Sequence, residues 1–221
     1  MISVSHYLTK LMAVLGFAIA ALTMVAAQAY AIEAPRLFVE RMVDRTIATL
    51  EETEADPSAR QQALGSLLQE SFDLKRIGRL ALGKHYRVAA EQDRAAYHAL
   101  FGDYLVATYA ERLNSAFKGS QKAGLEVRFG EVQIAKKDRI VPSMVYAGES
   151  RIELNWRVRE RDGAWQIIDV VVEGISMVIT QRNEFNAIVG RSNQGLAALN
   201  AHLQEKINAN ASLVLASEAN S

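Results

Sequence analysis

Residues Ser150–Gly174 read SRIELNWRVRERDGAWQIIDVVVEG. Two alternating runs flank Asp162-Gly163, the pattern of a β-hairpin. The turn decides which side chains share a face, because a one-residue slip sends every side chain to the other side of the sheet. A two-residue turn sets Trp156 opposite Asp169 and Ile152 opposite Glu173. That places two carboxylates on the apolar face, which costs several kcal/mol where they find no partner. A three-residue loop, with Gly163 in the left-handed position of a bulge, shifts the pairing by one. Trp156 then faces Ile168, Leu154 faces Val170 and Ile152 faces Val172. The opposite face pairs Arg151 with Glu173, Asn155 with Asp169 and Arg159 with Trp165. The second register is the one expected. It gives the sheet one continuous apolar face and one mixed, solvated face.

The run continues into ISMVITQRNEF. Gly174 turns the chain, and Met177 to Val189 is expected to lay a helix near the apolar face. Upstream, LEVRFGEVQI and RIVPSMVYAG add two more strands of period two, so four antiparallel strands joined by tight turns are expected. Before them the period is helical. One helix runs from Pro35 to Leu50, a second from the ADPSA turn to about Glu70, and a short third is closed by Gly83. The longest helical pattern carries Tyr97, Leu100, Phe101, Tyr104, Leu105, Thr108, Tyr109 and Leu113 at spacings of three and four. A last helix spans about Ser192 to Ile207. Helices, a strand meander and helices again indicate an α+β fold. The expected architecture is a four-stranded, curved antiparallel sheet packed against a helical bundle around an apolar cavity.

Three segments are expected. Residues 1–29 read as a signal peptide, with Lys10 before the apolar run LMAVLGFAIAALTMVAA and cleavage after 29 or 31 at AQA or AYA. Residues 32–208 form a single domain, and 209–221 a loose tail without periodicity. The chain holds 25 basic and 25 acidic residues, so no basic field points to nucleic acid. It has no cysteine. Its stability rests on its core rather than on disulfides, and no thiol is present to carry a lipid anchor.

Catalytic signatures are missing. The sequence has no nucleophile elbow, P-loop or dinucleotide fingerprint. His85, His98 and His202 are scattered and match no metal-ligand spacing. One enzymatic arrangement would set a carboxylate base (Asp169 or Asp103) with Tyr104 or Tyr109 inside an apolar cavity. The expected register turns Asp169 away from the apolar face, and Asp103 lies on the polar side of its helix. The chain is therefore expected to be neither an enzyme nor a holder of a metal or cofactor.

Three blocks carry a resemblance: FDLKRIGRLALGKHYR (Phe72–Arg87), FGDYLVATYAERL (Phe101–Leu113) and WQIIDVVVEGISMVITQRNEF (Trp165–Phe185). Their order and spacing resemble the MlaC family, also called the toluene-tolerance family, from about Arg36 to Ile207. Some relatives have an aromatic where Gln181 stands, and tryptophan where Tyr86 stands. The resemblance implies a periplasmic phospholipid carrier, moving lipid between an outer-membrane lipoprotein complex and an inner-membrane ABC transporter. The acyl chains would lie in an apolar cavity. A hopanoid or another polycyclic lipid is the alternative cargo, and the carrier is expected to be a monomer. The expected lipid-binding residues are Leu154, Trp156, Ile168, Val170 and Val172 on the sheet. Phe72, Phe101, Leu105, Tyr109, Val178 and Phe185 join them from the helices. Arg182, on the edge of its apolar stripe, is the candidate for the head group. A filled core and a lined cavity have the same composition, and only volume separates them.

Overall fold

The computed structural model describes residues 34–54, 56–123 and 125–218. The expected signal segment lies outside the described residues. Helix α1 covers 34–52. It is followed by α2 (Pro57–Ser71), α3 (Leu74–Leu82), the short α4 (His85–Val88) and the long α5 (Glu91–Ala123). The strands are β1 (Leu125–Phe129), β2 (Gln133–Ala135), β3 (Asp138–Ala147), β4 (Ser150–Arg161), β5 (Ala164–Val172) and β6 (Ile175–Ser176). Helices α6 (Met177–Gly190) and α7 (Leu196–Glu218) close the chain.

The sheet has six strands rather than four, in the order β1-β3-β4-β5-β6, with β2 also pairing β3. All pairings are antiparallel. The first expected strand is two, and the break falls opposite Pro142. Gly130 N–H donates to Pro142 O at 2.9 Å, but proline has no N–H to return, so the ladder lapses there.

The expected hairpin register is overturned. Arg161 pairs with Ala164, so the turn has two residues, with Asp162 at φ 51° and Gly163 at φ 80°. Both left-handed values fit a type I′ turn, whose twist matches that of the strands. The carboxylate penalty argued against this turn disappears because β5 carries a bulge. Val158 pairs with Ile167, but Arg157 pairs with Asp169, leaving Ile168 as the extra residue. Beyond it, Trp156 pairs with Val170 and Leu154 with Val172. The expected pairs Arg151–Glu173, Asn155–Asp169 and Arg159–Trp165 do not form. Arg151 pairs with Tyr146, Asn155 with Val171 and Arg159 with Gln166.

Two cores flank the site. One end of the sheet is closed by α1 and α2, where Val39, Met42 and Leu67 pack on Val141, Val158 and Ile167. The helices α3, α5, α6 and α7 form a bundle around Tyr97, Phe101, Phe185, Leu199 and Leu203. Gly78 lets α3 approach α5, since a Cβ there would lie 3.1 Å from Tyr97 and 3.2 Å from Phe101. Tyr97 Oη donates to Gly78 O at 3.1 Å across the same contact, and burial pushes its phenol far up from the ordinary range.

The segment expected to be loose is helical as far as Glu218. Periodicity reports burial, and Leu213 and Leu215 are 70% and 65% exposed, so none is seen. Helicity there follows from alanine and leucine propensity with no glycine or proline to stop it.

Candidate functional site

Between the bundle and the sheet lies a cavity of about 430 Å³. An apolar cavity of about 150 Å³ already stays dry and admits benzene, and ligand sites generally begin near 300 Å³. The sheet contributes Leu154, Trp156, Val170 and Val172, the residues that the bulge returns to one face. Helix α5 contributes Phe101, Leu105, Val106, Tyr109, Ala110, Arg112 and Leu113. Phe72 and Ile77 enter from the α2–α3 region, Met177, Val178 and Gln181 from α6, and Met42, Thr46, Leu64, Leu67 and Leu68 from α1 and α2.

Most of the expected residues are therefore brought together: Phe72, Phe101, Leu105, Tyr109, Leu154, Trp156, Val170, Val172 and Val178. Three are not among the lining residues. Ile168 is buried at the bulge, off the regular alternation. Phe185 is 1% exposed and faces the bundle, edge-on to Tyr97 and Phe101 with centroids 6.0 and 6.3 Å apart. Arg182 is one residue past the cavity-facing Gln181, about 100° further round the helix. Its Nε donates to Leu80 O at 2.8 Å, binding α6 to the end of α3, with its stem beside Gly83.

The residues that sequence reasoning missed divide by signal. Met42 and Thr46 stand four apart, and Leu64, Leu67 and Leu68 stand three and four apart, so helical spacing could have found them. Arg112 carries charge into a mostly apolar lining and left no such signal.

The polar atoms of the wall are mostly spent. Trp156 Nε1 donates to Ser143 Oγ at 3.0 Å. Asp169 borders the cavity, a correction to its expected outward direction. Its carboxylate accepts from Ser176 Oγ at 2.6 Å and from Val178 N–H at 3.1 Å, so it caps the start of α6. That is a folding contact, and both its oxygens are engaged. Burial pushes the Tyr109 phenol up, and Glu184 adds to the shift. Arg112 is exposed and is the only cation among the described lining residues. It stands 5.7 Å from the Tyr109 ring centroid and makes no ion pair among the described residues. No group of His, Asp or Glu among the described residues is arranged to hold a metal ion.

A family model described as MlaC protein matches residues 40–205. The intermembrane phospholipid transport system binding protein MlaC of Haemophilus influenzae is 21% identical over 209 residues, which is 90% of this chain and 93% of that protein. A solved structure of a phospholipid-binding protein from Ralstonia solanacearum, in complex with a phospholipid, is 23% identical. It matches with a TM-score of 0.65 over 79% of this chain and 97% of that chain. At this identity the likeness is one of fold: an antiparallel sheet packed against helices.

Proposed function

This chain belongs to the MlaC protein family, and on that premise we propose that it is a periplasmic carrier of phospholipid and not an enzyme. The observation that carries the reading is the cavity, about 430 Å³ and lined almost wholly by aliphatic and aromatic side chains. Acyl chains do not stay solvated, since each buried methylene is worth about 0.8 kcal/mol. They leave a bilayer, however, that is as apolar as a leucine-lined wall. The net transfer is small, and cargo loads and unloads readily, as a shuttle requires. In this reading the sheet and α5 hold the chains, and the head group lies at the mouth, where Arg112 and Leu113 are exposed. Arg112 takes the role expected of Arg182, because its guanidinium, beside the Tyr109 ring at the cavity, makes no ion pair among the described residues, while that of Arg182 is tied to Leu80. The partners follow from the family: an inner-membrane ABC transporter and an outer-membrane complex between which the carrier moves.

Two measurements test this together. Organic extracts of the purified protein are analysed by mass spectrometry, and delipidated protein is offered labelled phospholipid in vesicles. Phospholipid near one equivalent, in the extract or after loading, is expected. A polycyclic lipid in its place changes the cargo, and no uptake in either experiment overturns the carrier.

A further inference from the structure

The outer face of the sheet carries a charge cluster that the cavity does not use. Arg157 and Arg159 alternate along β4 with Trp156 and Val158, which face the cavity and the core, so the two arginines stand on the opposite face. Both close on the buried Asp138 at the start of β3. Arg157 meets Oδ2 through Nε at 2.7 Å and Nη2 at 2.6 Å. Arg159 meets Oδ1 through the same two nitrogens. One carboxylate thus holds two guanidiniums side by side and balances the charge of only one. Neither Nη1 has a hydrogen bond or ion pair among the described residues. The side chains of Arg157 and Arg159 are 47% and 28% exposed against 2% for the carboxylate, so solvent meets the cations and not the anion. Lys136 and Lys137 form the exposed turn that leads into Asp138. Arg76 is also close: burial lowers its guanidinium from the ordinary value, and the charge of Arg159 adds to this, with Asp138 and Asp73 opposing. The neighbouring carboxylates are engaged. Asp73 and Asp162 lie 3.7 and 3.5 Å from Arg161, and Asp169 caps α6. In a chain with 25 basic and 25 acidic residues, this is a local excess of positive charge.

We propose that Arg157 and Arg159, held in place by Asp138, form a binding site for a phosphate group on the outer face of the sheet, separate from the cargo cavity. The inference does not rest on the carrier reading. The planar edge of a guanidinium matches a pair of phosphate oxygens. The buried carboxylate sets the two edges before the ligand arrives, so less side-chain entropy is lost on binding than at a solvated arginine. The phosphate has two sources: the head group of an anionic lipid at a membrane surface, or a free phosphate ion.

The test has two arms, both at low ionic strength, where exposed charges are least screened. Inorganic phosphate is titrated by calorimetry into wild type, Arg157→Gln and Arg157→Lys, and each protein is cosedimented with phosphatidylglycerol vesicles. Wild type is expected to bind saturably in at least one arm, and Arg157→Gln to weaken that binding roughly tenfold, the effect of losing one charge-assisted contact. Arg157→Lys keeps the charge and its attraction to Asp138 but loses the planar edge. It is expected to fall below wild type as well, and it stands in should the glutamine variant not fold. Phosphate binding without cosedimentation identifies the free ion as the source, and cosedimentation that depends on Arg157 identifies the head group. No binding by wild type in either arm overturns the proposal, as does binding that survives either substitution undiminished. Cosedimentation that Arg112→Ala abolishes and Arg157→Gln leaves intact belongs to the cavity mouth and, with no phosphate binding beside it, overturns the proposal too.

Discussion

Trp156 and Ser143 are diagonal neighbours on the β3–β4 ladder, where Trp156 pairs with Val141 and Ser143 with Leu154, and the indole Nε1 donates to the serine Oγ at 3.0 Å. The bond fixes the edge of the ring to the sheet and leaves its apolar body to line the cavity. Ser143 is 3% exposed, so no solvent replaces it. Ser143→Ala is expected to strand the indole N–H and to cost about 1–3 kcal/mol. Urea unfolding checks this: the midpoint falls while the slope is kept.

Arg112 and Arg182 separate head-group binding from folding. Arg112→Ala is expected to leave the unfolding midpoint within about 0.5 kcal/mol of wild type and to weaken retention of anionic phospholipid against vesicles. Arg182→Ala removes the bond to Leu80 O and is expected to lower stability by about 1 kcal/mol. Loss of anionic-lipid retention in the Arg182 variant alone would reverse the two roles.

Gly78→Ala tests the contact between α3 and α5. Alanine gains up to about 1 kcal/mol of helix propensity over glycine. Its methyl would stand 3.1 and 3.2 Å from the rings of Tyr97 and Phe101. Those rings are 0% and 1% exposed and have no room to retreat. Overpacking of about 1–3 kcal/mol outweighs the propensity, so a net loss of stability is expected. A raised melting temperature would show that the rings yield.

His98 sets an acid-side dependence. Burial holds its imidazole below the ordinary value, and Lys75 pushes it the same way. The unfolded chain takes the proton at about pH 6.5, and the folded chain only at lower pH. Stability is therefore full above that range and falls as pH drops through it. His98→Gln is expected to flatten the melting temperature between about pH 7 and 5 relative to wild type. An unchanged slope would mean that carboxylates carry all of the acid sensitivity.

The α+β order and most of the cavity-facing side chains could be read from alternation and helical spacing. What could not be read turned on single residues. The bulge sits in Ile167-Ile168-Asp169, where two isoleucines in succession fit either register. Only the partner strand shows that Ile168 is the one left over. On α6 the stripe Val178, Gln181, Phe185 is continuous in spacing, yet it crosses from the cavity into the bundle core, so Phe185 lies on the far side. Arg182 lies beside that stripe in sequence, while the backbone carbonyl it binds is 102 residues away. Contacts of that separation leave no local pattern.

The sheet-tied indole has a further consequence. The chain has two tryptophans, and only Trp156 lines the cavity, while Trp165 packs against the core cluster that includes Val158 and Ile167. One emitter thus views the cargo and the other views the permanent core. Removing Trp165 would leave a single native fluorophore whose colour and quenching follow loading and release in real time, with no label attached. The protein carries its own optical gauge of how full it is.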